Sequence, residues 1–161
     1  MKLKVSNPIW PVIGIGTLAG MRTLSAPVIT THILSNHPSK RLEKSSLRFM
    51  QSTTVAAVLK VLSVTELIAD KLPSTPNRIE PAGVAGRGLS GALAGASIYK
   101  AVGGKTLTGA LIGGAAAIAA SYASYYLRKN IVKANHIADP LIGAAEDALV
   151  IGAGISLSKL V

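Results

Sequence analysis

Five stretches of the chain are apolar over most of their length, and the connections between them are short and basic. They run from about Pro8 to Leu34, Phe49 to Ala69, Pro81 to Val102, Leu107 to Leu127 and Ala138 to Ser158. Each is at or near the ~20 residues that a helix needs to cross a bilayer. The fourth carries no charge, and Tyr122, Tyr125 and Tyr126, then Arg128 and Lys129, form an aromatic and basic anchor at its end. The pattern predicts an all-α fold, a polytopic membrane bundle of about five helices, in one domain over residues 1–161.

Three of these helices are predicted to open alike, at Asn7-Pro8, Glu80-Pro81 and Asp139-Pro140. Proline is tolerated in a first helical turn, and Asn or Asp before it can cap the free N–H groups. Gly16 and Gly20, Gly91 and Gly95, and Gly109 and Gly113 each put two glycines on one helix face. That spacing lets helix backbones approach closely in lipid.

Composition agrees with the pattern. Mean hydropathy is +0.45, and 15% of residues are charged, against about 25% in an ordinary soluble domain. Aromatics make up only 4%, so a soluble core would lack its usual large anchors. There is no cysteine, which excludes disulfides and thiolate metal sites. The net charge of +10 is spread over the connections rather than gathered in a stripe. It therefore suits anionic headgroups, and membrane lipids are expected partners where nucleic acid is not. Lys2 and Lys4 before an apolar run imitate a secretion signal, but Arg22 lies between that run and the cleavage-like Ser25-Ala26.

Ionisable residues inside the apolar stretches are the candidate chemistry. Arg22, Lys60 and Arg87 are basic; Glu66, Glu146 and Asp147 are acidic, with Asp70 at a helix end. Such groups usually face a bundle interior and pair with one another. With five full spans, Arg87 lies ~9 Å, Glu146 ~12 Å and Glu66 ~5 Å below the same surface, and Arg22 ~20 Å. Glu66 and Asp70, four apart, share a helix face with Ser63. Glu146 and Asp147 are adjacent and diverge by about 100° around their helix, so each faces a different neighbour. Buried ion pairs that fix helix register are one reading of this set. A polar site visited by ions or a small anion is the other.

Arg22-Thr23-Leu24-Ser25-Ala26 returns as Arg87-Gly88-Leu89-Ser90-Gly91, and each copy is followed later by an acidic pair. This suggests an internal repeat with halves 1–75 and 76–161. With five full spans the flanking basic residues divide seven to seven, Lys2, Lys4, Lys71, Arg78, Arg128, Lys129 and Lys133 against Lys40, Arg41, Lys44, Arg48, Lys100, Lys105 and Lys159. The positive-inside rule then gives no orientation. If the first and third stretches re-enter, each broken near its arginine, the division becomes nine to five and the repeat is inverted. Gly20 and Pro27 near Arg22, and Gly86 and Gly88 beside Arg87, would permit such breaks. Full spanning is the simpler expectation, because broken helices are rarer.

The histidines, His32, His37 and His136, lie at span ends or in loops without metal-ligand spacing, and no Ser-His-Asp arrangement can be drawn. No catalytic residue and no cofactor is expected.

Gly20-Met21-Arg22-Thr23-Leu24-Ser25-Ala26-Pro27, Glu66-Leu67-Ile68-Ala69-Asp70-Lys71-Leu72-Pro73 and Glu146-Asp147-Ala148-Leu149, in this order, resemble the bacterial membrane family catalogued as domain of unknown function 4126. The resemblance spans nearly the whole chain. It implies a helical protein of the bacterial inner membrane and brings no activity or catalytic residues with it. A looser likeness is to undecaprenyl-pyrophosphate phosphatases, which also combine repeated membrane halves, acidic pairs and Arg-Ser motifs. This chain is much shorter, and two residues separate its arginine from the serine.

The leading expectation is a small membrane transporter or channel, assembled as a homo-oligomer, with a dimer favoured. Arg22, Glu66, Asp70, Arg87, Glu146 and Asp147 would line a site for a small ion or anionic ligand. The alternatives are a structural or assembly protein whose charges only fix packing, and an enzyme or flippase acting on a lipid phosphate.

Overall fold

The structure, a computed structural model, describes residues 7–69, 79–135 and 139–160. Among them the chain is all-helical, with no strand. The helices are α1 (Ile9–Met21), α2 (Ser25–Asn36), α3 (Lys40–Glu43), α4 (Thr53–Ala69), α5 (Pro81–Val102), α6 (Thr106–Asn135) and α7 (Asp139–Leu160), with a 3-10 turn over Ser46–Gln51 before α4.

The last three apolar stretches become the continuous helices α5, α6 and α7. The first does not: it breaks at Arg22, whose backbone is extended (φ −141°, ψ 123°). Pro27 explains the break. Continued from α1, a helix would place the proline ring against the Thr23 carbonyl and leave that carbonyl without a donor. Starting α2 at Ser25 instead puts Pro27 in the first turn, where its missing N–H is one of four that have no partner within the helix. Arg87, the counterpart of Arg22 in the second copy of the motif, stays inside unbroken α5, where no proline follows it.

Contacts give the directions of the helices. Gly16 meets Gly113 and Ala116, and Gly20 meets Ala117 and Ala120, so α1 and α6 run parallel. Gly91 meets Ala117 and Gly95 meets Gly109, so α5 and α6 are antiparallel. Gly14 lies against Leu157 while Arg22 reaches Asp147, so α1 opposes α7. Ile29 lies against Gly154, so α2 follows α7. It follows that α1 and α2 fold back on each other as a helical hairpin with its tip at Arg22-Thr23-Leu24. The expectation of one full span over Pro8 to Leu34 is corrected: both limbs start and finish at the same end of the bundle. The break that the re-entrant alternative placed in the third stretch is absent, since α5 is continuous.

That end holds the α5–α6 turn. Gly103 takes the left-handed conformation (φ 93°) that ends α5, and Gly104 N–H donates to the Tyr99 carbonyl at 2.7 Å. The segment after α2 seals the same helix end. Ser39 Oγ donates to the Ala101 carbonyl at 2.7 Å, and Arg41 Nη1 donates to the Val102 carbonyl at 2.5 Å. The guanidinium lies where a side chain at Gly103 would stand.

The three glycine pairs meet in one three-helix seam. Gly16 and Gly20 of α1 and Gly91 and Gly95 of α5 pack on α6, whose own Gly109 and Gly113 face α5. Val12, Ile15, Ala94, Ile98 and Ala117 are buried along it, and Ile33, Leu34, Leu42 and Met50 continue the core beneath α3. The outer faces are apolar as well. Val61, Leu89, Leu107, Leu111, Leu127, Leu149 and Ile151 are each more than half exposed.

A candidate site at the tip of the helical hairpin

The hairpin tip lies deep in the bundle. Ser90, which contacts it, is nine residues from the start of α5 and twelve from its end, or ~13 Å and ~18 Å. Backbone groups freed by the break need partners at that depth. Side chains from three other helices, and one from the hairpin itself, supply them. Glu66 of α4 accepts from Thr23 N–H through Oε1 at 3.0 Å and from Leu24 N–H through Oε2 at 3.1 Å. Ser90 Oγ of α5 donates to the Thr23 carbonyl, the group that Pro27 deprives of a helical donor. Ser25 Oγ lies 2.7 Å from both the Leu18 and the Arg22 carbonyls. Ser121 Oγ of α6 reaches the Gly20 carbonyl at 3.2 Å.

The charges follow the two half-helices. Arg22 stands at the C-terminus of α1, where partial negative charge gathers, and Glu66 at the positive N-terminus of α2. Arg22 is nine-tenths buried and donates through Nε to Asp147 Oδ1 of α7 at 2.6 Å, with Nη2 on the same oxygen. Glu146, also nine-tenths buried, points elsewhere: its Oε2 is 3.8 Å from Nη1 of Arg128 on α6. The adjacent acids thus face different arginines, as their angular separation predicts.

A cavity of about 270 Å³ opens beside the tip, between α2, α4 and α7. Arg22, Ser25, Glu66 and Asp147 line its tip end, and Val28, Ile29, Val150, Ile151 and Ile155 form apolar walls. His32, Lys60, Ser63 and Ser158 complete it. Of the expected site residues, then, Arg22, Glu66 and Asp147 come together here. Arg87 is half-buried on α5 and Glu146 sits beside Arg128; neither lines the cavity. Asp70 lies outside the described residues. Lys60 and Arg128 join the picture from the structure. Sequence reasoning noticed Lys60 but gave it no role, and it read Arg128 as an interfacial anchor. Among the described residues no three His, Asp or Glu side chains group as metal ligands.

The family model described as "Domain of unknown function (DUF4126)" matches residues 9–158, from the first residue of α1 almost to the end of α7. The chain belongs to the DUF4126 family. The match takes in the whole hairpin, the glycine seam and every described residue at the tip. No curated protein and no solved structure matches this DUF4126 chain.

Proposed function

We propose that this is an integral membrane protein in which α4 to α7 cross the bilayer, the α1–α2 hairpin enters and returns, and the hairpin tip forms the site of a small transporter or channel. Among the described residues one helix stretch, Thr106–Ile131 of α6, is long and apolar enough to cross a membrane, at 26 residues with a mean hydropathy of 1.4. Only 22% of that window is buried, whereas the core helix of a soluble protein is mostly buried. The apolar outer faces of α4 and α7 favour the same surroundings, since a soluble monomer rarely exposes so much apolar surface. Basic residues support an orientation. Lys40, Arg41, Lys44, Arg48, Lys100, Lys105 and Lys159 belong to the hairpin's open end, against Arg128, Lys129 and Lys133 at the other. The open end is then cytoplasmic.

The observation that carries the transport reading is a helix broken at mid-bundle beside a cavity, with buried charges at the break. Unwound backbone at membrane depth is tolerated where it is covered by protein or lines a polar cavity, and broken helices of this kind hold the ion and substrate sites of many transporters. A homodimer is the fitting assembly, because so few helices do not enclose a pathway alone.

One observation favours a second reading. Both carboxylates at the tip already have partners within the chain, as they would if their purpose were to hold the hairpin in register. Flux separates the two. Purified protein in liposomes should pass ions or protons. The flux should be lost in Asp147→Asn and also in the double variant Arg22→Met with Asp147→Leu, which keeps the fold because neither charge of the pair is left buried. Absence of flux for every common ion would leave the structural reading standing.

A further inference from the structure

The cavity is lined by two basic and two acidic side chains, Arg22 and Lys60 with Glu66 and Asp147, but not every one of them touches a partner. Arg22 and Asp147 pair directly, and both oxygens of Glu66 are held by backbone N–H groups. Lys60 is different. It lines the cavity from α4, seven residues or ~10 Å from the helix start, and its side chain is exposed rather than buried. Among the described residues its ammonium has no hydrogen-bond or ion-pair partner. In a bilayer a cation at that depth calls for a counter-charge. Beside it stand His32 and Ser63, and beyond them the wall of Val28, Ile29, Val150, Ile151 and Ile155. At about 270 Å³ the space falls just below the ~300–1,000 Å³ usual for small-molecule pockets, too small for a whole lipid.

We propose that the cavity binds a small organic anion of single charge with an aliphatic body, a short monocarboxylate, its carboxylate on Lys60 and its chain along the α2–α7 wall. An inorganic anion would leave the apolar wall unused. An organic cation would meet Lys60 with no carboxylate to spare. The proposal rests on the site reading above and names its ligand class. It is tested by binding rather than flux, so that the two can fail separately.

The test uses the full chain in phosphatidylcholine nanodiscs, which carry no anionic lipid, with thermal unfolding followed against hexanoate, acetate and hexylamine. Hexanoate should raise the midpoint in a saturable way, while acetate and hexylamine should leave it in place. Lys60→Gln should weaken the apparent hexanoate affinity roughly tenfold or more, the scale of one charge-assisted hydrogen bond, and Lys60→Arg should keep most of it. Because the Lys60 ammonium has no partner among the described residues, the unliganded Lys60→Gln midpoint should match the wild type, which confirms that the variant folds. No hexanoate shift, an equal shift in Lys60→Gln, or a shift produced only by added phosphatidylglycerol would each overturn the proposal. In any of those cases ion flux sensitive to Asp147→Asn would still uphold the transport reading.

Discussion

Arg22 and Asp147 stand 125 residues apart in the chain and meet at 2.6 Å, joining the break in the first helical hairpin to the middle of the last helix. The pair links two elements that share little else. The α1–α2 hairpin is gripped along one side by the glycine seam with α5 and α6, whereas α7 touches it mainly through Gly14–Leu157, Ile29–Gly154 and this ion pair.

Removing one partner should therefore loosen α7 from the rest of the bundle. Asp147→Asn takes from the buried Arg22 guanidinium the carboxylate it meets at 2.6 Å, and removing one partner of a buried pair costs about 3–5 kcal/mol in water-soluble proteins. The double variant Arg22→Met with Asp147→Leu should recover most of that loss, because neither charge of the pair is then left buried. Thermal unfolding in a nonionic detergent checks both. A single variant that melts like the wild type would show that the pair contributes little to holding the fold.

Glu66 acts on the backbone instead. Its two oxygens serve two N–H groups, and an amide can accept at only one atom. Glu66→Gln should leave one of Thr23 and Leu24 without a partner, at a cost of about 1–3 kcal/mol for a buried donor. The local signature is more telling than the total. Amide hydrogen exchange at Thr23 and Leu24 should speed up well beyond that of Ala94 or Ile98 in the seam. Uniform exchange across all four positions would argue that Glu66 does not hold the tip.

Much of this arrangement is legible in the residues, and the exceptions have physical reasons. Helix α5 begins and ends where Pro81 and Gly103 mark it, because both act through local backbone geometry. Helix α6 runs on to Asn135, past the apolar limit at Leu127, since nothing from Arg128 to Asn135 forbids a helix. The hairpin is harder to see. Hydropathy averages over a window and passes across three residues, so Gly20 and Pro27 were the only signs of a break. The repeat was misleading on this point, because Arg87 and Ser90 copy the motif without the proline. Ser90 nonetheless serves the first copy's Thr23. The partnership of Arg128 with Glu146 depends on where α6 and α7 stand in the bundle, which no spacing within one helix reveals.

The glycines can be ranked by what a methyl group would meet. A Cβ at Gly20 would stand 2.6 Å from the Ala120 Cβ and closer still to the Ala117 carbonyl; at Gly16 it would stand 2.6 Å from the Gly113 carbonyl. Gly20→Ala and Gly16→Ala should each destabilise by about 1–3 kcal/mol, the usual range for overpacking. At Gly143 and Gly152 nothing lies within 4 Å, so alanine there should be neutral or stabilising by up to about 1 kcal/mol through helix propensity. Equal effects at all four positions, read as shifts in unfolding midpoint, would mean that α1 does not pack on α6 as described.

Sidedness offers the sharpest separation between a hairpin and a full span. The chain has no cysteine, so single cysteines can be introduced one at a time and labelled from outside sealed vesicles. Lys44→Cys and Lys129→Cys should label from opposite sides, but they would do so with five spans as well as with four spans and a hairpin. Asn7→Cys decides. In a hairpin it shares the side of Lys44; in a full span it shares the side of Lys129. Asn7 reacting together with Lys44 would also remove the even division of basic residues, since the end opposite Lys129 then holds the clear majority. Asn7 reacting together with Lys129 would mean that the Arg22 break kinks a spanning helix, and the site would no longer lie at the tip of a re-entrant loop.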